Sequence, residues 1–126
     1  MENKKQGYIS IYRSIKTHWI WSDPIKLRWW LDILLSVNYS DVVQNVNINF
    51  ELFECGRGQS VKTLNTWSKE WQVGKDTVRN FLKLLQKDNM ITLENLQKCT
   101  RITVCNYDNY QTVLHDNQTI DKRQPN

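Results

Sequence analysis

Residues 61–104, VKTLNTWSKEWQVGKDTVRNFLKLLQKDNMITLENLQKCTRITV, carry the reading on which the fold turns. Thr63 is an N-cap residue type, and behind it Leu64, Trp67 and Trp71 recur at i, i+3 and i+7, the spacing of a short amphipathic helix. Gln72 to Gly74 interrupts the pattern. Val78, Phe81, Leu82 and Leu85 then repeat at helical spacing and predict a second helix over about Lys75 to Asp88. From Ile91 the period shortens to that of a strand. Ile91 and Leu93 alternate with Thr92 and Glu94, the chain turns near Asn95 to Lys98, and Ile102 and Val104 alternate on the return. Two helices joined by a tight turn and followed by a hairpin form the outline of a winged helix-turn-helix.

The second helix of this stretch holds the functional information. A step of about 100° per residue from Val78 places Asp76, Arg79, Asn80, Lys83 and Lys87 opposite the apolar face, with Lys75 and Thr77 in the first turn. In helix-turn-helix proteins the second helix enters the major groove, its N-terminal residues nearest the base edges. Arginine pairs bidentately with guanine and asparagine with adenine, so Arg79 and Asn80 are the base-reading candidates. Lys83 and Lys87 suit phosphates, and the amides of Gly74 to Asp76 suit another at the helix N-terminus. Asp76 favours the helix dipole but repels phosphate unless it accepts from a cytosine amino group. Lys98 near the hairpin tip and Arg101 on its outer face are candidates for flanking phosphates or the minor groove. Any surface helix shows charge opposite its core face, so this helix decides nothing without its context.

The distribution of charge supplies that context. The net charge is +4. Residues 1–56 carry six basic and six acidic side chains, residues 57–105 nine against four, and residues 106–126 two against three. The whole surplus therefore falls in the helix pair and its hairpin, as an anionic partner requires.

Outward from this stretch, Tyr8 to Arg13 is rich in β-formers and predicts a short strand or extended arm, followed by an aromatic turn at His18 to Trp21. Asp23-Pro24 is a helix start, and the helix runs to about Asn38 with Leu27, Trp30, Leu31, Leu34, Leu35 and Val37 on its apolar face. Val46 to Glu54 alternates as one half-buried strand, with Val46, Ile48, Phe50 and Leu52 on one side. Gly56-Arg57-Gly58 turns the chain, and Gln59 to Lys62 is placed as its hairpin partner. The expected fold is α+β: a winged helix-turn-helix with a small antiparallel sheet and an N-terminal strand-turn extension. It spans residues 8–111, between a disordered N-terminus (1–7) and a flexible tail (112–126). Trp30, Trp67 and Trp71 fall on buried faces, while Trp19, Trp21 and Trp29 are candidates for an exposed cluster at a subunit interface.

Other chemistries find no motif. Cys55, Cys99 and Cys105 show no paired spacing, so reduced structural thiols are expected rather than a redox or metal site. His18 and His115 are isolated, and there is no phosphate-cradling glycine motif, so neither an enzyme nor a cofactor is expected. No apolar run approaches the roughly 20 residues of a membrane span, and the start MENKKQGY lacks a signal-peptide core. A cytoplasmic protein is expected.

Gly58-Gln59, Thr77-Val78-Arg79, the run Phe81 to Leu85, Met90-Ile91-Thr92, Ile102 to Val104, Asn106-Tyr107 and Tyr110-Gln111 together resemble the N-terminal domain of phage and mobile-element replication proteins, the replisome organisers and DnaD-type primosome components. The resemblance covers about Gly7 to Gln111, and it implies double-stranded DNA as partner, a role in replication initiation or its control, and replisome proteins as further partners. Two alternatives stay open. One is a winged-helix module that binds proteins only. The other is a dimeric transcriptional repressor, and in both the arm from Tyr8 to Ile15 is a candidate for pairing with a second copy of the chain.

Overall fold

The structure, a computed structural model, describes residues 7–111; the expectations for the extreme N-terminus, the tail and His115 lie outside the described residues. Its class is α+β, with three helices and two small antiparallel sheets among the described residues. The helices are α1 (Pro24–Ser36), α2 (Leu64–Trp71) and α3 (Lys75–Lys87); the strands are β1 (Gln44–Ile48), β2 (Glu51–Cys55), β3 (Gln59–Lys62), β4 (Ile91–Asn95) and β5 (Thr100–Val104). No helix among the described residues is long and apolar enough to cross a membrane.

Local chemistry sets the helix boundaries. The Asp23 carboxylate accepts from the Lys26 amide at 3.1 Å ahead of Pro24, and the Thr63 hydroxyl accepts from the Thr66 amide at 3.0 Å. At the end of α3, Asn89 takes a left-handed conformation (φ 60), so the amides of Asn89 and Met90 reach back to Gln86 and Leu85. Asp88 then ties the N-terminal region to α3. Its carboxylate accepts from the Trp19 indole at 3.0 Å and lies 2.9 Å from His18 Nε2, and these bonds hold it below the usual carboxylate range.

Three expectations are corrected. Residues 44–55 form a hairpin rather than one strand, because Asn49 (φ 51) and Phe50 (φ 68) make the two left-handed residues of a tight turn. The turn reverses the facing pattern: Val46, Ile48, Phe53 and Cys55 look inward, and Phe50 and Leu52 outward. Second, β3 pairs with β5 rather than β2, giving a sheet ordered β3-β5-β4. Asn38 stands between β2 and β3. Its amide donates to Gln59 O at 2.9 Å and its side chain to Cys55 O at 3.1 Å, occupying carbonyls that a β2–β3 ladder needs. Third, of the short strand or extended arm expected over Tyr8 to Arg13, the strand does not form: Tyr8 to Tyr12 is an arm without regular structure and Arg13 already opens a 3-10 turn. The arm's neighbour is the 3-10 turn Tyr107–Asn109, beyond which one carbonyl, Tyr110 O, takes the Ser10 amide at 2.7 Å; the chain continues into 3-10 turns at Arg13–Thr17 and Trp19–Ser22.

The main core joins all three helices to β4 and β5. Trp29, which spacing alone does not place, belongs to it: it is buried and stacks on Trp71 at 5.1 Å, while Leu35, expected on the apolar face, is exposed. Trp19 and Trp21 are the tryptophans left partly open to solvent. A smaller cluster of Cys55, Val61 and Cys99, with Val46, Ile48, Phe53 and Leu96 around it, seats the β1–β2 hairpin against the β4–β5 hairpin. All three cysteines are free thiols, and burial pushes those of Cys55 and Cys99 up.

Gly58 offers a direct test of how the sheet closes. It adopts φ +76, and a Cβ there would meet the Tyr107 side chain at 3.0 Å. Tyr107 is buried with the Arg57 guanidinium over its ring at 5.3 Å. Gly58→Ala is expected to cost about 2 kcal/mol, through backbone strain and displacement of the ring, and to lower the urea midpoint. An unchanged midpoint would mean the Tyr107 contact yields freely.

Candidate nucleic-acid interface

The site is built on the turn between α2 and α3. Gln72 takes the left-handed conformation (φ 59), the Val73 amide reaches Ser68 O at 3.1 Å, and the Ser68 hydroxyl donates to Val73 O. Gly74 then starts α3 in extended geometry. Trp67 and Trp71 from α2 and Val78, Phe81, Leu82 and Leu85 from α3 are buried together, which orients the opposite face of α3 to solvent.

On that face Lys75, Asp76, Thr77, Arg79, Asn80, Lys83 and Lys87 are all exposed. They do not converge on one spot. Lys75, Arg79 and Lys83 line a groove of about 610 Å³, whose opposite wall is the β4–β5 turn with Asn95, Gln97 and Lys98. At about 100° per residue, Asp76, Asn80 and Lys87 point away from the body and Thr77 sits on the flank away from the groove.

Arg101 stands apart. It is half-buried; its Nε and Nη2 donate to Glu54 O at 3.0 and 2.9 Å, and its Nη1 pairs with Glu94 at 2.7 Å. It is therefore a strut between the two hairpins rather than an open outer-face cation. Lys98 serves both sides, since it lines the groove and bridges to Glu51 at 3.0 Å. Arg79 is held by Asp76 at 2.6 Å along the helix, so a ligand of Arg79 competes with an exposed carboxylate.

Among the nine basic residues of 57–105, five stand in ion pairs: Arg57, Lys62, Arg79, Lys98 and Arg101. Among the described residues, Lys69, Lys75, Lys83 and Lys87 have no such partner, and three of these four lie on α3. Within residues 57–105 the uncompensated charge is thus concentrated on α3, while Arg13, Lys16 and Arg28 are exposed cations without an ion-pair partner elsewhere among the described residues. No group of potential metal ligands occurs among the described residues. The sequence reading missed Asn95 and Gln97 on the groove wall and the bracing of that wall by β1–β2; the split of residues 44–55 into a hairpin, visible only as Asn49, was the signal. The chain matches no family model, no curated protein and no solved structure.

Proposed function

We propose that this chain is a winged helix-turn-helix that binds duplex DNA through α3 and the β4–β5 hairpin. The fold reading is supported by the order α1, β3, α2, α3, β4, β5, with β5 central in the sheet and β1–β2 as an insertion after α1. The observation that carries the function is the row Lys75, Arg79 and Lys83 facing Lys98 across one open groove.

In this reading α3 enters the major groove by its N-terminal half. Arg79 exchanges Asp76 for a guanine edge or a phosphate, and Asn80 presents its amide to adenine. Lys75, Lys83 and Lys87 neutralise phosphates, Thr77 adds a hydroxyl in the first turn, and Lys98 holds the strand beside the wing. Arg101 contributes by fixing the wing's position through Glu54 and Glu94. A place in replication initiation on a phage or integrated element rests on the resemblance of residues 7–111 alone.

The test is a salt titration of binding to a fluorescein-labelled duplex of mixed sequence. Neutralising four or five phosphates gives log K against log salt a slope of about −4. Absence of binding at about 50 mM salt, where counterion release favours association most, would remove the proposal.

A further inference from the structure

We infer that the β1–β2 hairpin is a second nucleic-acid element, with Phe50 at its tip acting as an apolar wedge between base pairs beside the α3 groove. The inference rests on the duplex-binding reading and extends it to a residue outside α3 and the wing.

Phe50 is 97% exposed, the most open of the large apolar side chains among the described residues, and its backbone sits at φ 68. A bulky residue is strained in that region, and turns of this type favour glycine at that position. The ring returns none of that cost through packing within the chain. Strain held without an internal reward marks a position shaped by something outside the fold.

The hairpin is also aimed. Glu51, the residue after Phe50, bridges to Lys98 at 3.0 Å, and Lys98 lines the groove. Lower down, Arg101 grips Glu54 O, and Val46, Ile48 and Phe53 pack in the cluster shared with Leu96 and Cys99. The two hairpins are therefore locked side by side, and the Glu51 bridge holds the turn that carries Phe50 next to Lys98 on the β4–β5 wall of the cationic groove. The Glu51 charge is offset by Lys98, the other exposed carboxylate of the hairpin, Glu54, lies three residues further from the tip, and the exposed side chains nearest Phe50 are otherwise Asn47, Asn49 and Leu52.

A rigid apolar tip beside phosphate-binding cations suits partial unstacking of a base step and bending of the duplex. Flexible pyrimidine–purine steps yield most easily, so Phe50 would favour sites through deformability rather than hydrogen bonding. A protein partner is the competing occupant. Continuity with the groove favours nucleic acid.

Phe50→Gly is the informative variant, because it relaxes the turn as it removes the ring. Its Tm is expected to rise by about 4 °C. Binding to a duplex of about 30 base pairs with 2-aminopurine at a TA step is expected to weaken about tenfold. The fluorescence increase that the parent produces on unstacking the probe should vanish with Phe50→Gly and return with Phe50→Leu. Parent-like affinity of Phe50→Gly, or a parent that binds without any fluorescence change, would overturn the wedge and leave duplex binding by α3 standing. A parent that does not bind the duplex overturns both.

Discussion

Trp71→Ala is expected to lower the unfolding free energy by about 4 kcal/mol, the cost of emptying a large buried aromatic site. Trp71 is 5% exposed and lies among three other rings: stacked on Trp29 at 5.1 Å, tilted against Trp67 at 4.9 Å, and edge-on to Phe81 at 5.8 Å. Its indole N–H donates to the Asp32 carboxylate at 2.7 Å, so one side chain connects all three helices. Domains of this size are stable by only about 5–15 kcal/mol, and the variant would approach the limit of folding at 25 °C. Trp71→Phe separates the contributions. It keeps most of the buried ring and should cost about 1.5 kcal/mol, chiefly from the lost charge-assisted hydrogen bond. Urea unfolding followed by far-UV circular dichroism measures both. A loss below about 1 kcal/mol for Trp71→Ala would mean that Trp29 and Phe81 collapse into the space, which a close-packed aromatic cluster opposes.

The same cluster shows where the sequence was legible. α2 and α3 are strongly amphipathic, so Trp67, Trp71, Val78, Phe81, Leu82 and Leu85 could be placed inside from spacing alone. α1 is apolar around most of its circumference. Spacing then cannot choose a face: Trp29 and Ile33 are buried, while Leu35 and Ile25 stay exposed, because α1 is oriented by the tryptophans of α2 rather than by its own pattern. The β1–β2 turn failed for a different reason. Alternation survives on both sides of Asn49-Phe50, and a phenylalanine in a left-handed turn runs against local propensity. The arm from Tyr8 to Tyr12 has strand-forming residues, but a strand needs an edge to pair with, and that is a tertiary property. For the candidate site, exposure along α3 followed from helix geometry. The capture of Arg101 by Glu54 O did not, since it depends on a hairpin that the sequence concealed.

Reversing Lys75, Arg79 and Lys83 together to glutamate is expected to weaken duplex binding about 10³-fold at physiological salt, and to flatten the salt slope by about three. The fold should survive. All three side chains are exposed, glutamate is a good helix former, and a carboxylate at position 75 suits the N-terminus of α3. The new carboxylate of Lys83→Glu would also gain Lys87 as a partner four residues on. The loss at position 79 is the Asp76 pair, an exposed ion pair that becomes a like-charge contact, so a decrease of about 0.5 kcal/mol is expected there. Net charge alone would also weaken binding, and a second triple variant isolates that effect. Arg13, Lys16 and Arg28 are exposed outside α3 and the wing, and their replacement by glutamate changes the formal charge by the same amount. If α3 docks in the groove of a duplex, this control should weaken binding by less than about tenfold, because charges beyond a Debye length of the phosphates are screened. Equal losses in the two variants would indicate nonspecific attraction by a basic protein. An α3 variant binding within about threefold of the parent would move the interface off this helix, since three phosphate contacts cannot be inverted at so small a cost.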